Sequence, residues 1–368
     1  MESKTIKELC ELVVDCPHST PKWTTAGKIV VRNNNIKNGR IDLSAPSYTD
    51  ENHFSQRIKR AAPKPGDLII TREAPIGEVG MVPEGIECCL GQRMVLLRPD
   101  PKICDNYFLL YSLQSRFVRH QISWSEGTGT TVSNLRIPHL EKIEIPYVPL
   151  KIQKRIASIL KAIEGKMEIN RQINENLQQQ AQAVYTKLFI TAAHPSWKSG
   201  RLSELIAVKY GKDHKKLADG SYPVYGSGGI MRYVERPLYE KESVLIPRKG
   251  SLNNVMYVNE PFWSVDTMFY TEMLRPNVAK FVYHFVKSKD LASLNAGSAV
   301  PSMTTDILNA MEVTIPSDKQ LECFENIVSP MYLTIHENQK QNEQLACLRD
   351  ALLPKLMSGE LDVSKLIF

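Results

Sequence analysis

The stretch 150–189, LKIQKRIASILKAIEGKMEINRQINENLQQQAQAVYTKLF, repeats with a period of seven. Ile156, Ile163, Asn170, Leu177 and Val184 form one series. Ile152, Ile159, Lys166, Ile173, Gln180 and Lys187 form a second, offset by three or four. That period specifies a long helix with a narrow apolar seam, and a narrow seam needs a partner of similar length. The other end of the chain supplies one, from Asp318 to about Met357. There Leu321, Val328, Ile335, Asn342 and Leu356 keep one register, and Phe324, Met331, Asn338, Leu345 and Leu352 the other. Ser317 with Gln320 makes a capping box, Gly359 is a natural stop, and Pro354 is expected to end or kink the helix locally. Each helix runs about 39 residues, roughly 58 Å. Paired antiparallel, their midpoints meet near Asn170 and Asn338, where a buried Asn pair would fix register at some cost in stability; the alternative is that each Asn lies at a frayed or exposed part of the seam. The expected pairing residues are Ile156, Ile163, Asn170 and Leu177 on one helix, with Val328, Ile335, Asn338 and Leu345 on the other.

Each helix follows a block of short strands and turns. In residues 1–149, GDLIITREAPIGEVGMV predicts two strands, Leu68–Thr71 and Glu78–Val82, RMVLLRP a further strand, and NYFLLYSLQSRFVRHQI a helix. The loop SEGTGTTVSNL and the strand KIEIPYVP precede the long helix. Residues 190–316 repeat this order. KTIKEL (4–9) matches GRLSEL (200–205), and residues 66–82 match ESVLIPRKGSLNNVMYV (242–258). TTVSNL (130–135) resembles SAVPSM (298–303), and EKIEIP (141–146) resembles AMEVTIP (310–316). Each match alone is weak, and four in one order are much harder to obtain by chance. The expected fold is α+β: two β-rich globular blocks in a tandem pseudo-twofold repeat, separated by two long antiparallel coiled-coil-like helices. The expected boundaries are 1–149, 150–189, 190–316 and 317–368.

At 368 residues the chain has room for two or three cores. No run of about 18 apolar residues predicts a membrane span, and the opening MESKTIKELC lacks the apolar core of an export signal. The seven cysteines form no CxxC pair, which fits a reduced, cytoplasmic protein, and Cys88 and Cys89 suit adjacent strand positions. A net charge of +6 is compatible with nucleic-acid binding without requiring it. There is no (Asp/Asn)-Pro-Pro-(Tyr/Phe) methylation motif, no GxxxxGK(S/T) phosphate loop, no HExxH and no His/Cys cluster with metal-ligand spacing. Gly127–Gly129 and Gly226–Gly229 lack the strand–helix setting of a dinucleotide site and suit turns. No cofactor is expected.

The chain resembles the specificity subunits of Type I restriction-modification systems. The resemblance is carried by IPYVPLKIQKRIASILKAIEGKMEINRQINENL in the middle and by IHENQKQNEQLACL with ALLPKLMSGEL at the end. YPVYGSGGI (222–230) and VLIPRKGSLNNVMYV (244–258) also fit the family's target-recognition domains. Lys151-Ile152-Gln153 stands where the family often has Ala-Glu-Gln. The resemblance implies a non-catalytic, sequence-specific DNA-binding subunit. Each domain would read one half of a bipartite double-stranded target, and the helices would set the spacer and dock two adenine-N6 methyltransferase subunits. Restriction and translocase subunits join such complexes.

DNA reading needs Lys or Arg at phosphates and a few side chains at base edges. In the first block the candidates are Arg32, Asn33, Asn34, Asn35, Lys37 and Arg40, an Arg/Asn-dense loop, against a solvated turn. Arg72 and Arg248 occupy matching places at strand ends, facing DNA or held in salt bridges. Thr128 and Thr130 lie in a loop suited to phosphate contacts. In the second block Lys209, Lys212, His214, Lys215 and Lys216 form a basic cluster near Tyr222, Tyr225 and Ser227, with Lys249 beside Arg248. Lys151, Lys154, Arg155, Lys161 and Arg171 on the central helix face phosphate, a methyltransferase subunit or solvent. A second function fits the repeat and helices alone: a coiled-coil scaffold with two β-rich protein-binding adaptor domains.

Overall fold

The computed structural model describes residues 2–124, 134–294 and 302–363. The chain forms two compact units, Met1–Ile169 with Lys340–Phe368, and Asn170–Gln339. These units cut through the long helices rather than at their ends, because each half of the seam is buried against its own globular block.

In the first unit a six-stranded sheet runs in the order Cys10–Asp15, Met94–Pro99, Leu68–Thr71, Val79–Met81, Gly39–Ile41, Ile36–Lys37. Its central strands are near-continuous apolar runs, Leu68–Ile70 and Met94–Leu97, because both faces are covered. Leu68, Ile70, Val95 and Leu97 face a core built with the helix Asn106–Gln114. Ile69, Met94 and Leu96 face the opposite side, against Val31, Ile36 and Leu90. A four-stranded sheet lies beyond, with Cys88–Leu90 parallel to Lys28–Val31. Cys88 and Cys89 are thus strand residues, and burial pushes the Cys89 thiol up to about 11.

The second unit repeats the plan. The strands Ile206–Tyr210, Met268–Met273, Ser243–Pro247 and Met256–Val258 stand in the order of their first-unit counterparts. Val244, Ile246 and Phe269 face one core and Leu245, Met268 and Tyr270 the other. Trp263–Ser264 pairs in parallel with Asp219–Gly226, as Cys88–Leu90 does with Lys28–Val31. Ser3–Thr5 pairs with Glu144–Pro146, and Lys198–Arg201 with Glu312–Ile315. The expected helix at 106–122 is two helices, Asn106–Gln114 and Arg116–Trp124, and the second has no counterpart in the second unit among the described residues.

The central helix spans Leu150–Tyr185 and closes in a wider turn at Thr186–Thr191. The distal helix spans Asp318–Met357. It continues through Pro354 to its end three residues on, where Gly359 takes φ +72°. In the first unit Ile156, Ala157 and Leu160 share a core with Leu356, Met357 and Val363. The Asn342 amide donates to the Met167 carbonyl at 3.1 Å. In the second unit Ala181, Tyr185 and Phe189 pack with Leu321, Phe324 and Val328. Within each unit the two helices therefore run antiparallel.

The series through Ile156, Ile163 and Asn170 lies buried, with Leu177 half-buried. The second series on the central helix is one residue from where the sequence placed it. Gln153, Leu160, Asn174 and Ala181 are buried, whereas Lys166, Gln180 and Lys187 are exposed and Ile173 is 39% exposed. The seam uses polar and small residues that apolar counting passes over. Gln153 is fully buried because its amide donates to the Ile103 and Val148 carbonyls and its oxygen accepts from the Asp105 N–H. Asn338 meets Asn174, one turn beyond Asn170, which is itself fully buried. On the distal helix Val328 and Ile335 are buried, and Asn338 and Leu345 half-buried.

Candidate nucleic-acid interface

In the first unit several loops meet at one end of the large sheet. Arg57 is buried and ties two of them, donating to the carbonyls of Pro17, Ser19, Leu90 and Gly91. Glu73 joins two more to the second of these. Its carbonyl accepts from the Asn33 amide at 2.6 Å, and its carboxylate binds Arg93 at 3.1 Å and accepts from the Asn134 amide. The Arg119 guanidinium reaches Glu78 from the helix Arg116–Trp124 at 3.1 Å. That helix leaves Trp124 77% exposed.

The predicted Arg/Asn loop divides in two. Arg32 and Asn34 are exposed, and the Arg32 guanidinium lies 5.1 Å over the ring of Trp23. Asn35 is buried, its oxygen accepting from the Arg32 N–H and its amide donating to the Asp42 carbonyl. Both ends are committed to the turn, so Asn35 shapes the loop and presents nothing to a groove. Asn33 is half-buried and bound to Glu73, while Lys37 is exposed. Arg40 is paired with Glu168 of the central helix. That charge pair draws it away from the loop cluster where the sequence placed it.

Of the two readings open for Arg72, facing DNA or held in a salt bridge, its contacts are those of the second. Its guanidinium pairs with Asp15 at 2.9 Å and donates to the Leu135 carbonyl at 2.9 Å, with only 13% of the side chain exposed. It holds the chain at Leu135; Thr128 and Thr130, with the Gly127–Gly129 run, lie outside the described residues.

In the second unit the corresponding loops also converge. The Lys212 N–H donates to the Ser264 carbonyl, and the Trp263 indole donates to the Lys212 carbonyl at 2.9 Å. The Asn254 amide donates to the Ser227 carbonyl at 2.8 Å. Gly250 has φ +84°, and a side chain there would place its Cβ 2.8 Å from the Ser227 hydroxyl, so this loop closes only around glycine. Gly226 and Gly229 flank the hairpin turn. Lys212, Lys215, Lys216 and Lys249 are exposed, and Lys209 pairs with Glu272 at 3.6 Å. Asp213 accepts from the Lys215 N–H, which lowers its carboxyl below the usual carboxylate value. Tyr225 is half-buried, its hydroxyl donating to Glu260 at 3.4 Å, and Ser227 is half-buried. Arg248 lies 5.4 Å over the ring of Tyr210, which is 52% exposed, and donates to the Asp266 carbonyl.

The aromatic partners, Trp23 and Tyr210, were not among the sequence candidates. Each is a lone aromatic in or at the end of a short strand, a weak signal that acquires meaning only when an arginine lands on it. On the central helix Lys161 stands 4.4 Å over the Tyr107 ring and Arg155 donates to the Val363 carbonyl, while Lys151 and Lys154 are exposed. Arg171 is exposed. Among the described residues no group of three His, Cys, Asp or Glu side chains is placed to hold a metal ion, and no helix is long and apolar enough to cross a membrane.

The sequence model for the Type I restriction modification DNA specificity domain matches this chain twice, over residues 1–179 and 195–345. The chain belongs to that family. Among its relatives is the Type I restriction enzyme MjaIX specificity subunit of Methanocaldococcus jannaschii, 22% identical over 83% of this chain and 80% of the relative. The EcoKI specificity subunit of Escherichia coli is 27% identical over 41% of this chain and 32% of its own length. Among solved structures, the crystal structure of the Type I restriction-modification S subunit from M. genitalium superposes with a TM-score of 0.62 at 22% identity, covering 96% of this chain and 95% of that one. The likeness supports the fold: tandem α+β specificity domains joined by long helices.

Proposed function

We propose that this chain is the DNA-recognition subunit of a Type I restriction-modification complex. Each repeat reads one half of a bipartite duplex target. The paired helices set the spacer and dock two methyltransferase subunits, which carry the adenine-N6 chemistry. Restriction and translocase subunits join the same assembly. The observation that carries this reading is the double match to the specificity-domain family, one per structural repeat. Cations at the loop ends support it: exposed Arg32 in the first repeat, and exposed Lys212, Lys215, Lys216 and Lys249 with half-buried Arg248 in the second. Apolar side chains left exposed on the helices support docking, namely Ile169 and Leu348 in the first unit and Ile173, Ile327 and Leu333 in the second. The chain itself contributes recognition rather than catalysis.

The test is methylome sequencing of cells that express this chain with an adenine methyltransferase subunit, compared with cells lacking it. A methylated motif in two parts, separated by a spacer of constant length, is expected. Association with a protein partner without any DNA sequence preference would instead favour an adaptor scaffold.

A further inference from the structure

The two arginines at matching strand ends face opposite fates, and the reason is one residue. Arg72 donates its backbone N–H to the Arg93 carbonyl and accepts from the Leu135 N–H. Arg248 donates to the Thr267 carbonyl and accepts from the Met303 N–H. The strand ladders make the two positions equivalent, with Met94 opposite Thr71 and Met268 opposite Pro247. The same ladders identify the partner. Asp15 pairs with Val95, and Tyr210 pairs with Phe269, each one residue before a chain N–H that bonds to the Met94 or Met268 carbonyl. Asp15 and Tyr210 thus occupy one structural position. In the first repeat that position is a carboxylate, and it pulls the arginine into a mostly buried ion pair at 2.9 Å. In the second it is a half-exposed aromatic ring, with the guanidinium over it at 5.4 Å. Among the described residues no carboxylate pairs with Arg248, so its charge is uncompensated where the loops converge.

From this we infer that Arg248, held on Tyr210, is a specificity-determining residue that reads a guanine edge in the half-site bound by the second repeat. The cation–π attraction to the ring positions the guanidinium without using any of its N–H donors. Backbone bonds on both sides of Arg248 fix where the side chain starts, and the bond from Nη1 to the Asp266 carbonyl at 3.2 Å limits its rotation. A planar, oriented fork of donors is the group that matches guanine O6 and N7. A lysine at the same place would supply charge to a phosphate but could not make that paired interaction. The first repeat, with its equivalent arginine locked to Asp15, has no such reader at this position.

This rests on the proposed recognition function, and the experiment separates the two. The full chain, with its methyltransferase subunit, is used to enrich binding sites from a randomised duplex library. If the wild-type complex enriches no motif, the recognition function itself is wrong, and this inference with it. If a motif emerges, Arg248→Lys is expected to relax one G·C position of one half-site, lowering its preference about tenfold to a hundredfold, with the other half-site unchanged. Tyr210→Asp, which installs the carboxylate found in the first repeat, is expected to relax the same position. Tyr210→Phe retains the ring and the preference. An unchanged motif for Arg248→Lys overturns the assignment while leaving the recognition function standing. So does a uniform loss of affinity for Arg248→Ala that Arg248→Lys restores, because that is the behaviour of a side chain bound to phosphate. Thermal melting of each variant confirms that the fold is intact.

Discussion

Asn338 donates its side-chain amide to the side-chain oxygen of Asn174 at 2.8 Å, within the helix seam of the second unit. Asn174 in turn donates to the Ile335 carbonyl at 3.3 Å. Asn174→Ala leaves the Asn338 donor without its partner and is expected to destabilise the protein by about 1–2 kcal/mol. Replacing both residues by leucine removes the polar groups together, so the double variant is expected to recover that loss or exceed wild-type stability while loosening the register. Thermal melting of the singles and the double measures the coupling.

Arg72→Ala takes the guanidinium from Asp15, whose side chain is only 17% exposed, and leaves it the His18 imidazole at 2.9 Å. A loss of about 3 kcal/mol is expected, with part of it recovered by adding Asp15→Ala. Urea denaturation reads the stability. The DNA motif should survive in both variants, since this arginine braces the fold.

Lys215 and Lys216 are exposed beside the Lys212 loop. Replacing both with alanine is expected to weaken binding to all duplexes alike. The slope of log K against log salt should shrink by roughly 0.9 for each phosphate that is no longer neutralised. Binding isotherms at several salt concentrations check this.

His284 is buried, with Nδ1 donating to Gln182 and Nε2 accepting from the Tyr332 hydroxyl. Burial, with Lys287 nearby, holds its pKa down at about 3 from an ordinary 6.5. The folded state keeps the ring neutral where the unfolded chain protonates it. Stability should therefore fall as pH drops below about 6.5 and continue falling toward 3, by up to about 1.4 kcal/mol per pH unit. Urea midpoints across that range, compared with His284→Gln, should show the slope reduced in the variant.

Matched seven-residue insertions in the central and distal helices keep the heptad register and lengthen each by about 10 Å. The spacer of the methylated motif should grow by about three base pairs, at 3.4 Å per base pair. Both half-site sequences should stay the same.

The long helices were legible because a seven-residue period survives any tertiary context. The distal one appears over the span its sequence predicted, Asp318–Met357. The second series on the central helix was placed one residue off. Ile152, Ile159 and Ile173 carry more apolar weight than Gln153 and Asn174, yet the latter are the buried pair. Their amides find carbonyl partners that only the assembled fold supplies.

The site was legible as a set of loops and not as a set of side chains. Arg72 and Arg248 look alike in sequence, each just after an apolar strand. Their surroundings set them apart, and the residue responsible could not be aligned by counting. A register shift between Arg98 and Pro99 passes over Glu11, so Asp15 matches Tyr210 although Cys10 matches Ile206.

The sequence by itself determined the period of the helices, the tandem order of the blocks and the family to which they belong, because these are patterns along the chain. Tertiary structure decided which polar residues enter the seam and which arginines keep their charge for a partner. Those outcomes depend on whether a carboxylate, a carbonyl or an aromatic ring stands within about 3–6 Å of a given side chain, and that is settled only by pairing strands far apart in sequence.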